Sequence, residues 1–245
     1  MAASTHEVLG TTVTMPVEVR TASAMTAMFS VPAAATQQMI GPSGLRVLEH
    51  RPRRAVVGLV YVRYVDGDLG PYDELGVAVL VRNHDDHTRA TTRGNLRALI
   101  RGRAGVLIHR LPVNGEFTRA AGREIWGFPK ELADFHTESA GGRQRVVLRQ
   151  HGKLAVDLSL RRGIPVPGAA RGASLRAYSH LDGVTRFTGW EMTPHGVRSR
   201  PGGVRLEVGD HPIGRELAGL GLPRRALFST TISDVHMVFG DAEAV

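Results

Sequence analysis

The sequence has no cysteine and, among 245 residues, only two lysines, Lys130 and Lys153. The first absence excludes disulfides, cysteine-liganded zinc, iron–sulfur clusters and any thiol nucleophile. The second makes the basic excess an arginine excess: Lys plus Arg number 31 against 23 Asp plus Glu, a formal charge of +8. Aromatic residues are only 5%, and the arginines are scattered apart from Arg51-Pro52-Arg53-Arg54, Arg161-Arg162 and Arg224-Arg225. Nucleic-acid surfaces gather charge on one face and interleave aromatics for single strands, so no nucleic-acid partner is expected. The surplus still attracts small anions such as carboxylates. No apolar run reaches the ~18 residues of a membrane span; the longest, such as Ala55–Val62, are strand-sized. Ala22–Ala35 imitates a targeting signal, ending in Ala-x-Ala, but it lacks a basic region and follows Glu7 and Glu18. No membrane partner is expected, and the chain reads as cytoplasmic. G-x-S-x-G, a G-x-G-x-x-G after a strand, and the P-loop are all missing, which argues against a nucleophile elbow and nucleotide sites.

What is present reads as mainly β. Val13–Arg20 alternates weakly. Ala55–Val65 is β-branched and aromatic, and after the Asp66–Pro71 turn Tyr72–Arg82 returns as its hairpin partner. Further strands are expected at Gly105–Leu111, Arg143–Gln150, Leu154–Leu160, Val184–Met192 and Val204–Val208, and Ala226–Phe239 as one long strand or a bent pair. Helices are expected from Val31 to about Ile40, over Thr118–Trp126 with Pro129 ending it, and over His211–Ala218 with Asp210 as cap. His84–Gly94 is polar loop. The pattern predicts an α+β, mainly antiparallel sheet curled into a barrel with a few short helices. His84-Asp85-Asp86-His87 has metal-ligand chemistry, but the four are contiguous between Arg82 and Arg89 and fit a turn equally well. No metal is expected.

One constellation stands apart. In Gly122-Arg123-Glu124-Ile125-Trp126-Gly127-Phe128-Pro129-Lys130-Glu131-Leu132 one of the two lysines directly follows an aromatic stretch. An ordinary lysine, with a pKa near ~10.4, is protonated at neutral pH and is no nucleophile. Burial among Trp and Phe lowers that value and opens Schiff-base chemistry with a ketone or aldehyde. A stem packed on Trp126 with its head in water explains the same spacing without chemistry.

This segment resembles the active-site segment of the acetoacetate decarboxylase family, in which a G-R-E helix leads into an aromatic-Pro-Lys turn. Leu69-Gly70-Pro71-Tyr72-Asp73-Glu74 is similar to the family's turn-Tyr-x-Glu element. The resemblance runs from about Val13 to Phe239. It implies a single domain over residues 1–245, a cone-shaped β-barrel, a homo-oligomer, a small-molecule keto acid as substrate and no cofactor. It also implies roles for individual residues: Lys130 as the Schiff-base lysine, Glu74 as the active-site carboxylate, Arg20 as a clamp for the substrate carboxylate, and Tyr72, Trp126 and Phe128 as substrate-binding walls. The implied reaction is decarboxylation of acetoacetate or a related β-keto acid.

Two departures separate this chain from the best-known members. Glu131 replaces the second lysine of Pro-Lys-Lys; an extended chain would turn it away from Lys130. No glutamate occurs between Ala55 and Val65, where those members carry one. The alternatives are aldol, dehydratase or cyclase chemistry through the same iminium, and a ligand-binding member without catalysis.

Overall fold

The structure, a computed structural model, describes residues 4–86, 94–95, 104–168 and 172–245. The chain begins with a hairpin of β1 (Thr5–Val8) and β2 (Thr11–Thr14), then β3 (Val17–Pro32), helix α1 (Ala33–Ile40), β4 (Arg54–Gly67), β5 (Tyr72–Val81) and β6 (Gly105–Val113). Helix α2 (Glu116–Trp126) leads into β7 (Lys130–Leu132), β8 (Asp134–Ala140), β9 (Arg143–Gln150), β10 (Lys153–Arg161) and β11 (Ile164–Pro165). The rest is β12 (Ala173–Leu181), β13 (Val184–His195), β14 (Arg198–Pro201), β15 (Val204–Val208), α3 (Pro212–Gly219), β16 (Phe228–Ile232) and β17 (Asp234–Ala244).

Seven strands close a barrel in the order β3-β17-β13-β12-β6-β5-β4, with β3 also paired to β4. All its pairs are antiparallel except β6–β12. The wall is buried on both faces, which is why β4 and β5 read as nearly continuous apolar runs. On β5 the even-numbered Tyr72, Glu74, Gly76, Ala78 and Leu80 face the barrel interior. The odd-numbered Leu75, Val77, Val79 and Val81 join the outer core with Val146, Leu148, Val156 and Leu158 of a second sheet, ordered β15-β10-β9-β8. A side-chain period of two thus sorts one strand between a cavity and a packed core.

Helix α3 closes this outer core through Ile213 and Leu217 and is tied to β6 by Glu216. The Glu216 carboxylate sits 3.0 Å from His109 Nε2 and accepts from Arg110 at 3.2 Å. Partial burial pushes this carboxyl up, but His109 and Arg110 pull harder and hold it at about 2. A depressed carboxyl contributes stability that is present above the ordinary Glu value near ~4.3 and lost as pH falls through the folded value. Urea unfolding should therefore show the wild type losing a few kcal/mol more than Glu216→Gln between pH 5 and pH 2; equal losses would mean the contact carries no linkage.

Several expectations are corrected. Most of Ala22–Ala35, where no strand was expected, is the second half of β3, paired to β4 along its length. Its Ala and Met content hides a strand, because strand propensity is low for Ala. The α3 cap is His211, whose Nδ1 accepts from the Ile213 amide; Asp210 instead pairs with Arg215. The end of α2 is set by Gly127 at φ +62°, not by Pro129. Ala226–Phe239 is the bent pair, β16 and β17. The expected loop at His84–Gly94 lies partly outside the described residues. No helix among the described residues is long and apolar enough to cross a membrane.

Candidate active site

The site is assembled where α2 turns into β7. Gly127 takes the left-handed conformation that a glycine tolerates, its amide bonding back to Arg123 O and that of Phe128 to Gly122 O. The turn is pinned from outside: Ser179 donates to Trp126 O at 2.7 Å, and Trp126 Nε1 donates to Gly240 O at 2.8 Å. Arg123 Nη1 donates to the Lys130 carbonyl at 3.3 Å. Beyond the turn, β7 runs parallel to β6 with Leu111 opposite Lys130, while Glu74 on β5 lies opposite Val113 on β6. A three-residue strand thus delivers the lysine beside the carboxylate.

Lys130 is 3% exposed and Glu74 8%. Lys130 Nζ lies 3.0 Å from Glu74 Oε2, donates to Thr118 Oγ1 at 2.8 Å, and stands 4.9 Å from the centre of the Tyr72 ring. The Tyr64 hydroxyl donates to the other carboxylate oxygen, Glu74 Oε1, at 3.1 Å, and the Tyr64 and Tyr72 rings stack at 4.1 Å. Burial pushes the Tyr64 phenol well above its ordinary range, and Glu74's charge adds to the rise. Tyr64 therefore remains a donor. For Lys130, burial pulls the ammonium down, but the Glu74 carboxylate and then Tyr72 push it up, and the net shift is upward. This corrects the expectation of activation by desolvation alone. At rest the amine is an ammonium held in an ion pair with Glu74, and an ammonium is no nucleophile.

The pair faces a cavity of about 330 Å³ in the barrel interior. Its walls include Trp126, Phe128, Trp190, Met192 and Phe239, and Lys130 is the only cation among its described lining residues. Glu131 points the other way, exposed on β7, where Gln150 Nε2 reaches it at 3.4 Å; the extended chain separates it from the amine as the alternation requires.

Neither Gly122, first residue of the Gly-Arg-Glu motif, nor Thr118 was assigned a role at the site from sequence. They lie four apart on one face of α2, and the Lys130 stem packs directly on Gly122: a Cβ there would come within 2.4 Å of Lys130 Cδ. Gly122→Ala should fold, since alanine favours a helix by about 1 kcal/mol over glycine, yet displace the amine. A misplacement of this order costs about 100-fold in turnover. Wild-type turnover at an unchanged Tm would contradict the role of Gly122.

The family model for acetoacetate decarboxylase matches residues 5–243. The chain belongs to the acetoacetate decarboxylase family. A search of curated proteins gave no match. Among solved structures, the acetoacetate decarboxylase of Legionella pneumophila subsp. pneumophila str. Philadelphia 1 is similar in fold, with a TM-score of 0.68 at 18% identity over 94% of this chain and 87% of that one. The enduracididine biosynthesis enzyme MppR complexed with pyruvate gives 0.60 at 16% identity, over 95% and 91%. An acetoacetate decarboxylase-like enzyme from Sphingomonas wittichii RW1 gives 0.59 at 15% identity, over 100% and 99%.

Within this family member, five of the six residues expected at the site line one cavity: Lys130, Glu74, Tyr72, Trp126 and Phe128. Arg20 does not. Val17 and Val19 face the interior, so Arg20 faces out, where Asp66 and Asp68 hold its guanidinium at 2.7 and 2.8 Å. On β4 the lining residues are Gly58, Val60, Val62, Tyr64 and Gly67, and the Tyr64 phenol is the polar group that meets Glu74. The His84–Asp86 segment is engaged elsewhere. His84 Nδ1 meets the Tyr178 hydroxyl at 3.1 Å, and Asp86 pairs with Arg82 at 2.9 Å. Among the described residues no three ligating side chains converge; His87 lies outside them.

Proposed function

We propose that the protein is a Schiff-base enzyme that decarboxylates a β-keto acid, with Lys130 as nucleophile and Glu74 as its proton partner. The observation that carries this reading is the buried Lys130–Glu74 pair, 3.0 Å apart, facing an apolar cavity. Bringing substrate into the cavity excludes water, and charges without water are costly. Transfer of the ammonium proton to Glu74 replaces two charges by a neutral amine and a neutral acid. The amine adds to the ketone, Glu74 returns the proton to the carbinolamine oxygen, and water leaves to give the iminium. The bond between the α-carbon and the carboxylate then breaks. Its electron pair flows to the iminium nitrogen, giving CO2 and an enamine. Protonation at carbon and hydrolysis release the ketone and regenerate Lys130.

With Arg20 turned outward, the described lining has no second cation to hold the substrate carboxylate. Binding then does not stabilise the charge that must disappear, so ground-state stabilisation does not oppose the chemical step. A second reading uses the same iminium for aldol chemistry. It is favoured by Tyr64 as Glu74's polar neighbour on β4, and by the likeness to the pyruvate-bound MppR. The two are separated by incubation with acetoacetate, and with pyruvate plus an aldehyde. CO2 and acetone from the first support decarboxylation; a new carbon–carbon bond from the second, without CO2 from the first, would replace it.

A further inference from the structure

The dimensions and chemistry of the cavity go beyond the carbonyl group that Lys130 would engage. Along β5 the lining continues from Glu74 through Gly76 and Ala78 to Leu80, six residue steps that span about 20 Å at ~3.3 Å each. Along this stretch Met28, Val60, Ala78, Leu80, Val106 and Ile108 are apolar, and Thr26 is the polar exception. At about 30 Å³ per water-sized group, 330 Å³ has room for at least about eleven such groups. Acetoacetate would fill only part of it.

We propose, resting on the Schiff-base reading above, that the substrate is a medium-chain 3-oxo acid. Its ketone meets Lys130, and its alkyl chain runs along β4 and β5 towards Leu80. The reaction balances as for the short acid: the bond from Cα to the carboxylate breaks, CO2 departs, the enamine carbon takes a proton, and a methyl ketone leaves after hydrolysis. The cavity would then recognise substrate by burial of the chain, which is non-directional and proportional to apolar area.

The test uses the product class. The chain's only two tryptophans, Trp126 and Trp190, both line the cavity, so intrinsic fluorescence reports occupancy. The full-length protein is titrated with methyl ketones from 2-butanone to 2-nonanone, and parallel samples are reduced with borohydride and mapped. Each buried methylene should tighten binding about fourfold, about 1000-fold across the series, and Ala78→Leu should flatten this dependence. A total change under about tenfold overturns the chain assignment, and an adduct on Lys130 in the same samples would leave the lysine chemistry standing. Chain-dependent binding with no adduct at Lys130 overturns the lysine chemistry, and the keto-acid assignment with it.

Discussion

Lys130→Met should lower turnover by about 10⁵-fold or more while the protein remains folded. The size follows from what is lost. A nucleophile fixed beside the bound carbonyl is worth an effective molarity of about 10⁵–10⁸ M, and no other lysine can replace it: Lys153, the chain's second lysine, is exposed at the start of β10. Methionine fills the space of the stem against Gly122 without its charge. Glu74 loses its cation but keeps the Tyr64 hydrogen bond. The check is turnover beside circular dichroism and Tm. Residual turnover above about 1% of wild type in a folded variant would mean that the iminium is not the route, since other catalytic contributions rarely make up such a loss.

The second large effect comes from the other half of the pair. Glu74→Gln removes the group that pushes the Lys130 ammonium up and leaves burial, which pulls it down, unopposed. Breaking a buried ion pair from one side costs about 3–5 kcal/mol, and burial should hold the stranded lysine below its ordinary range. The sign of the pH dependence then differs between the two proteins. In the wild type the folded value lies above the unfolded one, so the contribution is fully present below ~10.4 and is lost only as pH rises through the folded value. In the variant the folded value lies below, so stability rises with pH from that value up to ~10.4. Urea midpoints at pH 8, 9 and 10 should be nearly flat for the wild type and should climb for Glu74→Gln. Parallel profiles would show that the pair does not hold the charge assigned to it.

The Lys130–Glu74 pair was legible mainly through resemblance: Lys130 follows an aromatic run in a segment similar to the family's Pro-Lys turn, and Glu74 was reached through the likeness of Tyr72-Asp73-Glu74 to the family's Tyr-x-Glu element. Its supports were not. Thr118, Gly122 and Arg123 meet Lys130 only because α2 folds back on a three-residue strand, a juxtaposition that periodicity along one segment does not encode. Tyr64 was visible as a strand residue, but its bond to Glu74 depends on the β4–β5 register. The outward turn of Arg20 was available in principle, since Val17 and Val19 place it on the opposite face of β3. The barrel hairpin β4–β5 was legible from its β-branched residues. The latter half of β3 was not, because its Ala and Met residues carry little strand signal and its partner lies far along the chain.

The central claim is that Lys130 forms an imine with a ketone substrate, and borohydride trapping tests it most directly. The protein is incubated with acetoacetate, and in parallel with 3-oxodecanoate, then reduced, digested and mapped by mass. The mechanism predicts a reduced adduct on Lys130 and none on Lys153, with Glu74→Gln and Lys130→Met as comparison samples. Peptides containing unmodified Lys130 after reduction with either acid, from protein that retains its fold, would contradict it.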